Sequence, residues 1–489
     1  MSDNVKVLGN TYYNVAGIRS YDMNGQLKTF DPPNQNIGFV DPIRFLDYDG
    51  TVVATYSSVP SSLPAVPTHT GLKNGTWNYT LQQIQTQFNA MGSCDIGANY
   101  MTVSEKTEID VEFADAARLS PYLRFAVNGT VTIDWGDGSN TEDVTGTSLT
   151  SRKDIQHTYS SAGRYTITLA ATSGSYNMYS DSSAYTLLHA NKGTGNANRV
   201  YSNCVKAVRI GASCNIGYDA FYYCYSLSSV TIPSGVTSIS NSVFYGCYSL
   251  SSVVIPSSVT SINTGAFQSC YSLSSVTIPS GVTSIGNNVF YNCFSLSSVT
   301  IPSGVTSIGS SVFYYCHSLS SIAIPGGVTS IGNNAFYSCY SLSSVTIPSG
   351  VTSIGGSVFT SCYSLSSVTI PSGVTSIGSS AFYYCYSLSS VTIPSGVTSI
   401  GDNAFGTCYS LSSVTIPSGV TSIGNNAFST CYGMKEYHLE PTTPPALGTS
   451  VFSDIQSDCI IYVPKGKLND YQSATNWSDY ASYMQEEPA

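Results

Sequence analysis

Charge is what this chain has least of where it is most regular. Only 9% of its 489 residues are Asp, Glu, Lys or Arg, and across residues 225–431 the single formally charged side chain is Asp402. Binding nucleic acid takes a basic face that displaces counterions from phosphates, and a stretch without Lys or Arg has none, so no nucleic-acid partner is expected. Catalysis is poorly provided for as well. A glycosidase needs two carboxylates flanking the bond, and this stretch offers one. Asp134 and Asp137 stand close together further upstream, but a tight turn accounts for both better than an acid-base pair does. The five histidines, His69, His157, His189, His317 and His438, have no metal-ligand spacing. Gly-x-Ser-x-Gly, His-Glu-x-x-His and phosphate-binding loops are missing. The expectation is a protein that is not an enzyme, with no catalytic residues, no metal and no cofactor. No run of 18 or more apolar residues exists, so membrane insertion is not expected either. The first ten residues carry no apolar run of secretory type, which reads as a soluble chain made in the cytosol; a chain whose leader had been removed would look the same.

What the chain has instead is repetition. A 23-residue unit, Tyr-Ser-Leu-Ser-Ser-Val-Thr-Ile-Pro-Ser-Gly-Val-Thr-Ser-Ile-Gly-x-x-(Ala/Val)-Phe-x-x-Cys, recurs nine times without a gap over residues 225–431. A fixed period of that length is the signature of a solenoid. Each unit repeats apolar residues at the same offsets, for example Leu227, Val230, Ile232, Val236, Ile239, Val243, Phe244 and Cys247. No unit alone can bury them, and stacking buries them as one column. Ten of the fourteen cysteines, Cys224 through Cys431, fall once per coil. Closing each cluster three residues after the Phe, the Cys suits a small buried hydrophobe with a free thiol. A disulfide or metal ladder is the alternative, since coils about 5 Å apart lie within disulfide reach, but no Cys-x-x-Cys or paired His supports it.

The N-terminal 200 residues are organised differently. Asn24-Gly25 between Ile18-Arg-Ser-Tyr and Leu27-Lys-Thr-Phe, and Asp49-Gly50 between Ile43-Arg-Phe-Leu-Asp-Tyr and Thr51-Val-Val-Ala-Thr-Tyr, each predict a β-hairpin. Residues 57–70 are a Ser/Pro-rich connector. Thr80 caps an expected helix with Leu81, Ile84, Phe88 and Met91 on one face and Gly92 as its stop. From residue 107 to 169 the pattern is of strands, with Ile109, Val111 and Phe113 alternating. Within it, Val131-Thr-Ile-Asp-Trp-Gly-Asp-Gly-Ser and the later His157-Thr-Tyr-Ser-Ser-Ala-Gly-Arg-Tyr together resemble the polycystic-kidney-disease (PKD) type β-sandwich. Gly136 and Gly138 permit a tight turn around Asp137, and Trp135 and Tyr165 supply aromatic core. The resemblance implies a spacer or presentation module.

In the repeats, Leu227-Ser-Ser-Val-Thr-Ile has the form of a leucine-rich repeat strand. With Pro233, a second short strand Val236-Thr-Ser-Ile and an expected helical turn at Ala-Phe-x-x-Cys, the unit resembles the BspA-like leucine-rich repeat. That resemblance implies a surface adhesin. The opening Val5-Lys-Val-Leu-Gly-Asn-Thr-Tyr-Tyr-Asn-Val and the Trp-Gly-Asp-Gly region also look like the front half of tail-associated proteins of gut phages. The expected fold is therefore mainly β. Residues 1–35 form a β-hairpin attachment region and 36–100 a hairpin plus short helix; 101–200 form a PKD-like β-sandwich, 201–431 a leucine-rich repeat solenoid about 50 Å long, and 432–489 a C-terminal cap. The expected location is a virion, as part of a phage tail, with the bacterial cell surface or secretion as the alternative. A hydrolase acting on surface polysaccharide is a remote third.

Recognition has a specific candidate. The residue after each Cys is aromatic in every coil: Tyr225, Tyr248, Tyr271, Phe294, His317, Tyr340, Tyr363, Tyr386 and Tyr409 are the candidate contact residues, and Tyr432 ends the column. The two positions before each Cys vary among Tyr, Ser, Asn, Thr, Gly and Gln while the rest of the unit hardly changes. Tyr, Ser, Gly and Asn are the vocabulary of antibody paratopes. Half-buried packing and neutral drift explain the same pattern. Expected partners are a glycan or protein of the host cell surface for the array and other virion proteins for the N-terminal region. A homo-oligomer is open, but no coiled-coil heptad argues for one.

Overall fold

The computed structural model describes residues 106–179, 187–190 and 201–488, with the backbone of six short strands before them and residues 60, 62 and 64. The chain divides into two compact units, Met1–Asp41 and Pro42–Ala489. In the first, β1 (Ser20–Tyr21) and β2 (Leu27–Lys28) pair antiparallel on either side of Asn24-Gly25. In the second, β3 (Ile43–Leu46), β4 (Val52–Tyr56), β5 (Leu72–Trp77) and β6 (Cys94–Thr102) form a sheet in the order β4-β3-β6-β5. Its antiparallel β3–β4 pair is the hairpin expected at Asp49-Gly50. The helix expected from Thr80 to Gly92 and most of the connector at 57–70 lie outside the described residues.

Four long strands follow: β7 (Thr107–Phe113), β8 (Tyr122–Asp134), β9 (Glu142–Gln156) and β10 (Gly163–Met178), with a short β11 (Leu188–His189). In β7 the acidic Glu108, Asp110 and Glu112 alternate with Thr107, Ile109, Val111 and Phe113, and the pleat turns the latter four inward, where they are buried. Midway, Gly129 of β8 faces Gly174 of β10. Both have positive φ, +120° and +69°, and a Cβ on either would collide with the backbone of the opposite strand. This glycine pair, next to a bulge between Ala171 and Ser173, re-aims both strands. Hydrogen bonding joins all of these strands into one sheet folded over a core of Phe113, Phe125, Trp135, Tyr159 and Tyr176.

The same sheet enters the solenoid. Coil one supplies β12 (Val205–Arg209) and β13 (Cys214–Ile216). Strand β12 pairs antiparallel with β7 on one side and parallel with β14 (Ser229–Thr231), the next coil's strand, on the other. Strand β13 pairs parallel with the second half of β10, Tyr176 opposite Cys214. The end coil is thus roofed by the preceding module along both of its strands. An ionic clamp crosses the seam: Arg209 Nε donates to Glu108 at 2.6 Å, and its two terminal nitrogens donate to Asp110 at 2.7 and 3.0 Å. Lys206 of the same strand joins the seam, its Nζ 3.6 Å from Glu112.

Beyond the seam the chain winds in register. Identical residues pair across successive coils, Ser275 with Ser298 and Val276 with Val299 in the first strand column, Ser261 with Ser284 and Ile262 with Ile285 in the second. Pro ends the first strand because it has no N–H to donate, and its carbonyl accepts the N–H of the Val three residues on, as in Pro279 and Val282 at 3.0 Å. The expected helical turn at Ala-Phe-x-x-Cys is instead a pair of tight turns. Two residues per coil are left-handed, for example Asn288 (φ 57°) and Asn292 (φ 60°), and a helix cannot run through them.

Inside, ten Phe–Phe contacts from Phe221 to Phe452 stack at 5.2–6.0 Å. The thiols beside them are buried and unbridged, and from Cys247 to Cys431 each donates to the Phe carbonyl of the preceding coil, as Cys270 Sγ does to Phe244 O at 3.2 Å. Burial pushes Cys224 up to about 12, so these thiols stay protonated and inert.

Stacking continues past Cys431. The strands Glu436–Leu439 and Ile460–Val463 extend the first column, and Ala446–Leu447 extends the second. Met484–Glu486 closes the sheet edge. The helix Leu468–Ser473 and the turn after it cap the last coil's carbonyls: Tyr471 donates to Pro441 O at 2.7 Å, Trp477 Nε1 to Pro445 O at 2.8 Å, and Asn476 to Leu447 O at 2.6 Å.

Candidate functional site

The nine candidate residues sit on a loop that is fixed on two sides. From Tyr225 to Tyr386 each ring-bearing residue's carbonyl accepts the N–H of the Ser in the next coil, as Tyr248 O does from Ser272 and Tyr386 O from Ser410, both at 3.1 Å. The rise between loops is then the strand spacing, and planar rings at that spacing have one way to lie. They stack. From Tyr225 to Tyr432 the ring centroids are 4.3–5.4 Å apart and the planes within 4–16° of parallel. All nine are half-buried. Phe294 and His317 continue the stack without a step, His317 lying 4.9 Å from Phe294 and 4.3 Å from Tyr340.

This geometry decides what the column can do. A ring inside the stack has a neighbour on each face, so it presents its edge and, for tyrosine, its hydroxyl. Stacking of a ligand ring on an aromatic face, the mode suggested by the residue types, is closed along the interior of the ladder. Burial first, then the neighbouring phenols, push Tyr248 and Tyr386 up, so the hydroxyls remain neutral. His317 is pushed down to about 4 by burial, and among the described residues its Nε2 has no hydrogen-bond partner. At neutral pH these two phenols and the imidazole carry no charge.

The variable pairs before each Cys add rings that the candidate set left out. Tyr291, Tyr314 and Tyr337 form a second stack at 4.6 and 4.5 Å, and Tyr222 stacks on Tyr245 at 4.7 Å. Tyr223, Tyr315 and Tyr384, all left-handed, lie beside the ladder, Tyr315 edge-on at 5.5 Å from His317, Tyr384 edge-on at 5.9 Å from Tyr386 and Tyr223 tilted at 5.4 Å from Tyr225. The surface is therefore a strip of aromatic patches, interrupted in the coils where the left-handed place holds a small buried residue, Gly246, Ser269 or Ser361. The Tyr-Tyr dipeptides preceding Cys224, Cys316 and Cys385 were its signal in the sequence.

The carboxylates and histidines elsewhere are held in local structure. Asp134 Oδ1 accepts from Gly136 N at 2.9 Å and Asp137 Oδ1 from Ser139 N at 3.0 Å, the turn expected of both. Asp137 also meets His157 Nε2 at 2.8 Å beneath Trp135, which stacks on that imidazole at 4.7 Å. Against the cost of burial, the hydrogen bonds from Ser139 and His157 hold Asp137 down to about 2. His189 lies 3.1 Å from Asp154, and His438 bridges Glu436 and Glu487. His69 lies outside the described residues. Among the described residues no three His, Cys, Asp or Glu side chains converge as a metal site would require.

Coils of parallel strand, turn and second strand around a Leu, Val, Ile and Phe core define a leucine-rich repeat solenoid. The BspA type leucine rich repeat region matches residues 214–343 and 329–458, together half of the chain, and the chain belongs to that family. Among solved structures it is similar to a leucine-rich repeat protein from Bacteroides ovatus, with 24% identity over 60% of this chain and 90% of that one and a TM-score of 0.40. A leucine rich cell surface protein from Faecalibacterium prausnitzii matches at 28% identity over 65% of this chain and 93% of its own, with a TM-score of 0.38. A leucine rich repeat protein from T. pallidum matches at 30% identity over 37% of this chain and 83% of its own, with a TM-score of 0.32. No curated protein matches the chain.

Proposed function

We propose that the chain is a non-enzymatic recognition protein that contacts the surface of a bacterial host through its solenoid, carried on a phage tail. The observation that carries the recognition reading is the unbroken ladder of ten rings beside variable Tyr, Ser, Asn and Thr positions, in a run of coils, residues 225–431, whose one formally charged side chain is Asp402. Such a surface offers phenol hydroxyls and ring edges to neutral glycans or to uncharged protein surface. The PKD-like module upstream serves as the mount, and its shared sheet keeps the array from swivelling. The phage setting rests on the resemblance of the N-terminal half to tail-associated proteins. A second reading, an adhesin on a bacterial cell surface, is supported by membership of the BspA-type family.

Immunogold labelling of purified phage particles and of whole bacteria distinguishes the two settings. Label on tails is expected, and label confined to cell surfaces selects the second reading. Recognition itself is tested by adding the full chain to host cells. Binding that survives protease and is lost after periodate marks a glycan, and no binding to any treated or untreated host cell refutes recognition altogether.

A further inference from the structure

Among the described residues, two large apolar side chains are exposed, Tyr218 at 45% and Tyr432 at 48%. Tyr218 lies in the first coil, edge-on to Tyr179 at 5.5 Å. Tyr432 is the last ring of the ladder and rests on Tyr409 at 5.4 Å and 11°. The next coil is 24 residues on, as Phe452 stacks on Phe428 and Ile460 pairs with Glu436. The next place in the ladder therefore falls to Gln456, which has no ring. Its amide turns aside to donate to Asp454 O at 3.1 Å. Asp454 takes the left-handed place beside the column (φ 61°), is exposed, and accepts from Thr430 Oγ1 at 3.1 Å. In earlier coils a ring at that place stands 5.4–5.9 Å from its ladder neighbour. By that spacing Asp454 stands beside Gln456, both in the coil that follows Tyr432.

We infer that Tyr432 seats one neutral sugar ring, which lays its C–H face on the phenol as the next member of the ladder and turns its hydroxyls to Asp454 and Gln456. This site rests on the recognition reading and locates it: ring faces are covered in the interior of the stack and open at its end. An aromatic face rimmed by hydrogen-bonding groups matches a pyranose, apolar on one face and polar at its edge. A quaternary ammonium fits less well, because one ring makes no cage and the neighbouring Asp458 is already neutralised by Lys435 at 2.7 Å. A single stacked sugar binds weakly, so useful adhesion comes from many copies engaging together.

Saturation-transfer difference NMR on the full chain tests this with methyl β-D-galactopyranoside, methyl β-D-glucopyranoside and, as the cationic counter-probe, tetramethylammonium. Saturation of the C–H protons of one face of a glycoside is expected. Tyr432→Ala should lower affinity at least tenfold, Tyr432→Trp should preserve it, Asp454→Asn should lower it several-fold, and Tyr218→Ala should leave it unchanged. Melting curves establish that each variant is folded. The site is overturned if neither glycoside is saturated by the wild type, if Tyr432→Ala binds as the wild type does, or if tetramethylammonium binds in place of the sugars. Failure here is distinguishable from failure of the broader reading. Cells bound equally by wild type and Tyr432→Ala refute this site alone, whereas a wild type that saturates glycosides through Tyr432 and never adheres to cells refutes the adhesive role alone.

Discussion

Restoring the ladder's commonest residue at its one titratable imidazole should remove a defined acid sensitivity. His317 lies between Phe294 and Tyr340, its Nε2 without a hydrogen-bond partner among the described residues, and burial lowers it from 6.5 to about 4. In the unfolded chain the same imidazole takes up its proton at the ordinary value, so between these two values the unfolded state binds more protons than the folded one. Stability is then full above pH 6.5, falls as the pH drops toward 4, and loses nothing further from this group below that. The complete fall is worth about 3 kcal/mol. Because the ring is only half-buried, solvent screening reduces this to about 1–2 kcal/mol. His317→Tyr has no such group. Melting temperatures of both proteins, followed by circular dichroism from pH 3.5 to 8, should run parallel above pH 7 and diverge below 6.5. The variant should gain about 2–4 °C by pH 4. Asp219, raised to about 6 by burial, and His438, raised by its carboxylate partners against the cost of burial, titrate in both chains and cancel in the difference. Curves that stay parallel through pH 4 would refute the assignment of a desolvated, neutral imidazole to the ladder.

Three further outcomes are expected. Arg209→Met strands Glu108 and Asp110 at the seam and should destabilise by about 2–4 kcal/mol, seen as faster amide exchange in β7 and β12 before the distal coils respond. Thr407, β-branched yet left-handed (φ 60°), occupies the place that Asn292 takes in another coil, so Thr407→Asn should stabilise by about 0.5–1 kcal/mol in denaturant titration. Deleting residues 317–339 joins two faces that already match, and the shortened chain should fold with an unchanged spectrum and a length reduced by about 5 Å in small-angle scattering; an aggregated or molten product would show that the coils are not interchangeable.

The solenoid was legible because every coil repeats its apolar offsets: Phe244, Cys247 and their counterparts are buried where the period put them. The aromatic column was legible for the same reason. Its closed faces were not, since they follow from a loop rise that equals the strand spacing, a three-dimensional quantity with no residue signature. The left-handed positions were hidden too, because Ser, Tyr and Thr occupy most of them and Gly only Gly246 and Gly265. Nor could the pairing of β7 with β12 be read, as it joins segments about a hundred residues apart with no shared pattern. Stacking beyond Cys431 was masked by a longer coil in which Ile455 takes the place of the Cys, its N–H meeting Phe452 O at 3.1 Å. Open, too, was which aromatic residue would differ from the rest: Tyr432 looked like one more member of a column.

Because each coil grips the next through the same short rows of hydrogen bonds, lying along the solenoid axis, the array has a mechanical character. Tension applied along that axis loads one inter-coil seam after another, all of nearly equal strength, and each coil that lets go releases 23 residues, about 75 Å of slack. A tether built this way gives ground in equal steps and limits the peak force on whatever it holds, while the coils still wound keep their shape.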